Sequence, residues 1–194
     1  MAIKLVAILG SVTPPGRMLN AIRRLLDDAK ASHPEIEVEL INLADKKVAF
    51  ADGRPAEQLG DDTASILASV QSAHGVIIAS PVYRGSFTGA LKNLLDHLPV
   101  EALAGKPVGI VAMGATQHHF LGVDWHLRDV LAWFGAMTVP TSVYLASNDF
   151  IEGQLTDGAK NDLKALTDAV IKLTTIAPAS GSFLGPKPLA ARRS

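Results

Sequence analysis

The stretch that decides the fold of this chain reads Lys4-Leu-Val-Ala-Ile-Leu-Gly10-Ser11-Val-Thr13-Pro14-Pro15-Gly16-Arg17-Met18-Leu19-Asn20. Its apolar part has no polar alternation, which is typical of a parallel strand that is buried on both faces. Gly10 and Ser11 then bend the chain, and a helix follows. Because the N–H groups and the positive dipole end of a helix N-terminus attract anions, the stretch predicts a phosphate-binding loop between a buried strand and a helix.

Three kinds of phosphate loop can join a strand to a helix, and the glycine spacing separates them. A Rossmann loop requires Gly-x-Gly-x-x-Gly, whereas Gly10 and Gly16 have five residues between them. A Walker loop requires four residues between its glycines and then Lys and Ser or Thr, but Arg17-Met18 stands here. The spacing favours a flavodoxin-type loop, in which hydroxyl groups and main-chain amides hold a phosphate monoester. An ordinary strand-to-helix turn is the alternative interpretation.

Composition excludes several classes of protein. With 194 residues, 48% of them hydrophobic, the chain is long enough for one well-formed core. Its 18 basic and 19 acidic residues give a net charge of −1, which argues against a nucleic-acid-binding protein and against a strongly acidic electron carrier. Since the chain has no cysteine, disulfides, thiolate metal sites and cysteine nucleophiles are excluded, and any redox chemistry requires a bound cofactor.

We expect a cytoplasmic protein. The apolar run at residues 5–9 is too short to span a membrane, and no cleavage-site pattern of a signal peptide follows it.

Hydrophobic spacing along the rest of the chain predicts strands that alternate with helices. After the first strand, we expect strands at 36–41, 75–79, 107–113 and 138–146. We expect an amphipathic helix directly after the first loop, a short one around Ile66 to Val70, one from about Ser86, and two more at 123–134 and 156–175. Residues 44–60 have no clear period and are interpreted as a long loop.

This alternation indicates an α/β fold, namely a flavodoxin-like open five-stranded parallel sheet in the order 2-1-3-4-5 with helices on both faces. We expect residues 1–176 to form this single domain. Residues 177–194, which are rich in Pro, Gly, Ser and Ala, are expected to form a flexible C-terminal tail. In this topology a ligand binds beyond the carboxyl ends of the strands, where the segments after strands 1, 3 and 4 converge.

The segment after the third strand is the second signature, and it reads Ser80-Pro-Val-Tyr-Arg-Gly85-Ser-Phe-Thr-Gly-Ala-Leu-Lys-Asn93. Pro81 fixes φ and Gly85 relaxes the backbone, so this loop can present its amides to a flat ring that Tyr83 or Arg84 partly covers. Residues 114–117 approach the ring from the other side. The combined crevice suits a planar heterocycle such as an isoalloxazine.

Together these segments resemble the NAD(P)H-dependent FMN reductase family of flavodoxin-like proteins. The resemblance is carried by Gly10-Ser11 with Arg17, by Met113-Gly-Ala-Thr, and most specifically by Pro-Val-Tyr with the following Gly-x-Leu-Lys-x-x-x-Asp96. It runs from Ile3 to about Ala146. Residues 116–131 look closest to the reductases that supply FMNH2 to alkanesulfonate-type two-component monooxygenases.

The resemblance implies FMN and NADH or NADPH as cofactors, with a hydride passed from the nicotinamide to the flavin. It implies three groups of FMN-binding residues: Ser11, Arg17, Met18, Leu19 and Asn20 at the phosphate; Pro81, Val82, Tyr83, Arg84 and Gly85 at the ring and ribityl chain; and Gly114, Ala115, Thr116 and Gln117 at the pyrimidine. No catalytic acid, base or nucleophile is assigned, because the cofactor carries the chemistry. Thr13 and Ala115 depart from the Arg and Gly that are common in the family.

Other interpretations of the sequence are a metal site, a serine hydrolase and a flavoprotein of another kind. His118, His119, Asp124 and His126 could suggest a metal site, but they lack a His-x-x-x-His pair on a confidently predicted helix, and no metal is assigned. Residues 85–89 differ from a nucleophile elbow, since Ser86 directly follows the first glycine. A non-enzymatic flavodoxin-like electron-transfer module and a reductase of quinones, azo dyes or chromate remain open.

The expected partners are NAD(P)H, flavin, a flavin-dependent monooxygenase and a second copy of the chain. Apolar helix faces and the family resemblance favour a homodimer or homotetramer. No nucleic acid or membrane partner is expected.

Overall fold

The sheet is built around β1 (Lys4–Leu9), in which Leu5 to Leu9 are buried. A computed structural model of the chain describes residues 2–13, 16–178 and 182–192. The other strands in the described part are β2 (Glu37–Asn42), β3 (Gly75–Pro81), β4 (Pro107–Met113), β5 (Met137–Thr138), β6 (Val143–Leu145), β7 (Phe150–Ile151) and β8 (Gln154–Leu155). The helices there are α1 (Arg17–Ser32), α2 (Thr63–Ser72), α3 (Gly89–His97), α4 (Gly122–Phe134) and α5 (Asp157–Thr174), accompanied by short 3-10 helices.

The main sheet has the order β2-β1-β3-β4-β5, and β6 also pairs with β4. All of these pairings are parallel. α1 and α5 pack on one face, and α2, α3 and α4 cover the other. The predicted flavodoxin-like fold, strand order and two helical layers are therefore confirmed.

The predicted fifth strand at 138–146 is wrong as a single element. It is divided into β5 and β6, which lie along the same edge of β4. Val139 still donates its N–H to the Val108 carbonyl at 2.8 Å, but Pro140 has no N–H and cannot continue the ladder. The sheet edge is therefore interrupted at Pro140.

Two helix boundaries show how side-chain caps set the ends. The third helix begins at Gly89 rather than near Ser86, because the Thr88 hydroxyl caps it by accepting from Leu91 N–H at 3.1 Å. The fifth helix begins at Asp157, where Thr156 accepts from Ala159 N–H.

A small hairpin of β7 and β8 was not predicted. Its two-residue turn, Glu152-Gly153, has φ values of 49° and 80°, the arrangement of a type I′ turn. Glutamate is uncommon at such a position, which explains why the sequence pattern did not reveal the turn. The hairpin joins β6 to α5 and buries Leu155 against the α1 and α5 layer.

Part of the predicted flexible tail is packed close to the domain. Phe183 and Pro188 lie so near Gly135 that a Cβ there would come within 2.9 Å and 3.0 Å of them. Residues 179–181 and 193–194 lie outside the described part of the chain, and flexibility of the tail stays a prediction. Within the described residues, no helix is both long and apolar enough to span a membrane.

An ion pair fastens α4 to the interrupted sheet edge. Arg128 donates to both carboxylate oxygens of Asp124, at 2.8 Å and 2.9 Å, and to the Pro140 carbonyl at 3.0 Å. Burial raises the pKa of Asp124, but hydrogen bonds from Arg128 and Ser142 and the charge of Arg128 together outweigh burial, so its pKa lies below the usual value. The ionised pair therefore stabilises the fold above the carboxyl's unfolded-state pKa.

We expect Asp124→Asn to lower the free energy of unfolding at pH 7 by about 1–3 kcal/mol, since it removes a charged hydrogen-bond acceptor from a buried position. Because the folded-state pKa is depressed, the difference from wild type should shrink as pH falls through and below about 4. Urea unfolding from pH 3 to pH 8 measures this difference. Asp129→Asn, at an exposed position of the same helix, is the control, and a pH-independent difference would contradict the assignment.

Candidate functional site

The carboxyl ends of the central strands lie at the same edge of the sheet, which brings three loops together. Leu9 is in register with Asn42 of β2 and with Ala79 of β3, while Pro81 is in register with Met113 of β4. The segments that follow β1, β3 and β4 therefore leave the sheet at one edge. This is the convergence that the strand order predicts.

A cleft of about 160 Å³ opens at this edge. Five of the predicted FMN-binding residues line it, together with five residues that were not predicted. The predicted ones are Ser11, Arg17, Met18, Leu19 and Pro81; the others are Leu9, Thr13, Gly16, Asn42 and Met113. No acidic side chain is in this lining, so the cleft is electrostatically suited to an anion.

The N-terminus of α1 supplies main-chain donors to the cleft. Gly16 is the N-cap residue in an extended conformation, without a side-chain cap, and the Asn20 N–H already donates to the Gly16 carbonyl at 3.2 Å. The N–H groups of Met18 and Leu19 precede this first helical hydrogen bond and have no acceptor within the helix. Since both side chains are apolar and buried, the hydrogen-bond donors that these two residues offer to the cleft are their backbone N–H groups.

Two hydroxyl groups lie in the loop between β1 and α1. Ser11 Oγ and Thr13 Oγ1 are 2.8 Å apart, and both residues are at least partly exposed. Thr13 occupies the position where the family often has Arg. It therefore replaces a charge with a second hydroxyl, and Arg17 is the cation that lines the cleft.

The loop after β3 ends in a tight turn at the rim of the site. Tyr83 and Ser86 exchange two main-chain hydrogen bonds, at 2.7 Å and 3.0 Å, around Arg84 and Gly85. Arg84 has a φ of 52° and Gly85 a φ of 78°, again a type I′ arrangement. Gly85 therefore adopts a positive φ, as its expected backbone freedom allows, and Arg84 has the same left-handed conformation.

The loop after β4 allows no side chain at Gly114. A Cβ there would lie 2.0 Å from the Tyr144 hydroxyl, which donates to the Thr116 carbonyl at 2.6 Å. Burial raises the pKa of Tyr144, so the hydroxyl keeps the proton that it donates. Ala115 and Gln117 are exposed beside this contact. Residues 82–85 and 114–117 continue the chain directly from the cleft residues Pro81 and Met113.

A buried threonine joins the first loop to the second. Thr88, 2% exposed, donates its hydroxyl to the Gly10 carbonyl at 2.5 Å, and its N–H donates to Ser80 Oγ at 3.1 Å. A Cβ at Gly10 would lie only 2.8 Å from Leu91 Cβ. Sequence reasoning did not assign a role to Thr88, although its position before a helix is a recognisable cap signal.

The histidine-rich segment has a different arrangement from a metal centre. Asp124 is engaged by Arg128, and His118 Nδ1 lies 3.2 Å from Thr116 Oγ1. Over residues 2–13, 16–178 and 182–192, no group of three or more His, Asp or Glu side chains is arranged to hold a metal ion.

A parallel sheet in the order β2-β1-β3-β4-β5 with helices on both faces is the flavodoxin-like fold, which defines the class of the protein. The family model described as NADPH-dependent FMN reductase matches residues 3–150. The chain therefore belongs to the NADPH-dependent FMN reductase family, and it is an enzyme of the NAD(P)H:FMN oxidoreductase class with FMN and a reduced nicotinamide as cofactors.

Individual relatives agree with this membership. An NAD(P)H-dependent FAD/FMN reductase of Geobacillus thermodenitrificans is 37% identical over 131 residues, covering 68% of this chain and 71% of that protein. The NADH-dependent FMN reductase SfnF of Pseudomonas fluorescens is 34% identical over 154 residues, covering 79% and 82%. The apo crystal structure of the NADH:FMN oxidoreductase EMOB matches with a TM-score of 0.77 and 25% identity, covering 96% and 98%. A Staphylococcus aureus FMN-dependent NADPH-azoreductase is 28% identical over 141 residues, covering 70% and 73%.

We expect Thr88→Val to lower the free energy of unfolding by about 1–3 kcal/mol, because it removes a helix cap and leaves the Gly10 carbonyl without its donor. FMN affinity should fall as well, since the first loop loses its attachment to α3. Chemical denaturation and FMN titration measure the two effects. Thr88→Ser keeps the hydroxyl and serves as the control; wild-type behaviour of the valine variant would refute the role of this contact.

Proposed function

We propose that this enzyme uses FMN as an exchangeable substrate and supplies the reduced flavin to a partner, a flavin-dependent monooxygenase. The observation that carries the proposal is the exposure of the anion-binding loop: Thr13, Gly16 and Arg17 face solvent at the mouth of a small, open cleft. A phosphate held at such a place can be reached and released without opening the core. The names of the relatives describe enzymes that reduce FMN itself, which also supports a substrate role for FMN.

The donor set fits FMN. Ser11 and Arg17 would hold the phosphate together with the N–H groups of Met18 and Leu19. Asn20 would contribute through its exposed side chain, because its N–H is engaged within α1. These groups combine a positive charge, hydroxyls and a helix N-terminus, which is the chemistry that a phosphate monoester requires.

The flavin ring would lie outside the small cleft. The cleft volume of about 160 Å³ is smaller than the volume of a whole FMN molecule. The cleft therefore suits the phosphate and part of the ribityl chain. Residues 81–85 would then border the ring, and residues 114–117 would contact its pyrimidine side. The exposed Tyr83 stands at the rim, where it can orient either the ring or an incoming nicotinamide.

FMN, when bound, supplies the acceptor for the nicotinamide hydride. The chain itself orients the two rings and leaves one side of the site open to exchange. We assign no proton transfer to a side chain.

NADH and NADPH oxidation by the dialysed protein, with and without added FMN, tests this proposal. We expect the rate to rise with FMN and to saturate, because the flavin turns over as a substrate. A flavin absorbance spectrum of the protein after dialysis should show little retained FMN. Full activity without added FMN, together with a stoichiometric bound flavin, would contradict the substrate role.

A reductase of quinones or azo compounds is the second candidate. It is favoured by the relationship to the FMN-dependent NADPH-azoreductase and by the exposure of the site, since an accessible reduced flavin reacts with many acceptors. Turnover with free FMN, benzoquinone and an azo dye ranks these acceptors. The non-enzymatic electron-transfer alternative is disfavoured by membership of a reductase family.

We further propose that the chain forms a homodimer or homotetramer through the outer side of α3 and α4. Trp125 and Trp133 on α4 are 63% and 61% exposed, and Trp133 lines a groove of about 410 Å³ with Leu95 and Leu98. An exposed tryptophan in a groove of mixed apolar and charged lining, with a second exposed tryptophan on the same helix, is typical of a protein interface.

Light scattering should give at least twice the chain mass of 20.4 kDa for the wild type. Trp133→Glu should shift the protein to the monomer by replacing apolar contact surface with a charge. Ile176→Glu, at a 64% exposed site just after α5, the helix that packs on the opposite face of the sheet, is the control. A wild-type mass of one chain would refute this arrangement.

A further inference from the structure

Arg17 contacts an aromatic ring from a segment that is distant in the sequence. The Cζ atom of its guanidinium lies 5.0 Å from the centroid of the Phe150 ring. This distance is within the range of a cation–π interaction. Phe150 is the first residue of the β7–β8 hairpin and was not among the residues that the sequence analysis assigned to the site.

The hairpin holds Phe150 firmly. Asp149 accepts from Ala146 N–H at 2.7 Å through its side chain, and its carbonyl accepts from Thr156 N–H at 2.9 Å. Leu155, directly across from Phe150 in the ladder, is buried, and the Phe150 ring packs against the same core as α1 and α5. The backbone before Phe150 is therefore held by hydrogen bonds, and its ring is held by packing against the core.

Arg17 would otherwise be weakly constrained. In the part of the chain that the structure describes it forms no ion pair, whereas Arg24, two turns further along α1, pairs with Asp28 at 2.8 Å. A long exposed side chain loses conformational entropy when it is fixed. The Phe150 ring restricts the guanidinium to the rim of the cleft, so part of this entropy is already lost before a ligand binds.

We propose that Phe150 is a positioning residue for the flavin phosphate: it holds the Arg17 guanidinium at the cleft and thereby raises the preference for FMN over riboflavin. The proposal rests on the proposed function, since it takes the cleft to be the phosphate site. It adds a residue outside the β1 loop and gives the hairpin a role in cofactor selection. Phe150 acts through Arg17 and does not itself touch the phosphate.

The test compares dissociation constants for FMN and riboflavin by fluorescence quenching with the flavin-free protein. Phe150→Leu should weaken FMN binding by about two- to fivefold, the range expected from loss of an exposed cation–π contact, and leave riboflavin binding unchanged. In an Arg17→Met background the same substitution should have no further effect on FMN. Phe150→Tyr keeps the aromatic face and should retain the wild-type ratio.

Phe183→Leu is the matched control, because Phe183 is also half-buried but lies beside Gly135, away from the cleft. Equal weakening of both flavins by Phe150→Leu would overturn the proposal, since it would show that the ring supports the fold instead of the arginine. An undiminished effect in the Arg17→Met background would overturn it too. Failure of the wild type to distinguish FMN from riboflavin would instead refute the phosphate site on which the proposal rests.

Discussion

The hydrogen bond from the Thr88 hydroxyl to the Gly10 carbonyl is the contact on which the arrangement of the site depends. It connects the end of β1 to the start of α3, and the same hydroxyl caps that helix. Gly10 also donates its N–H to the Ala79 carbonyl at 2.8 Å, so both main-chain groups at the bend are engaged. The loop between β1 and α1 therefore begins from a fixed point, although its outer residues are exposed.

Most of the fold could be predicted because the strands are apolar throughout and the helices have one apolar face. The break in the sheet edge could not be predicted. A proline in an otherwise strand-like segment leaves open whether the strand shifts, ends or restarts, and here a strand restarts at Val143. The β7–β8 hairpin escaped prediction for a different reason. Its turn places Glu152 at positive φ, and tertiary contacts of Leu155 and Phe150, which no local pattern reveals, compensate for that conformation.

Site residues could be predicted where they are close together in the sequence. Gly10, Ser11 and Arg17 lie in one short stretch, and the structure brings Ser11 and Arg17 into one cleft. The position of Asn42 in the cleft lining and the contact of Phe150 with Arg17 were not predictable, because each residue comes from a distant segment that only the folded chain brings to the loop. For Asn20, the motif predicts a contact, and the structure adds that only the side chain is available for it, because its N–H is engaged within α1.

The central claim is that the N-terminus of α1 binds the phosphate of FMN while the loops after β3 and β4 hold the ring. Amide chemical shifts of the ¹⁵N-labelled, flavin-free protein, titrated with FMN and then with riboflavin, test it most directly. We predict that the Met18 and Leu19 amides shift strongly with FMN and little with riboflavin, whereas those of Val82 and Gly114 shift with both. Unchanged Met18 and Leu19 amides at saturating FMN would contradict the account.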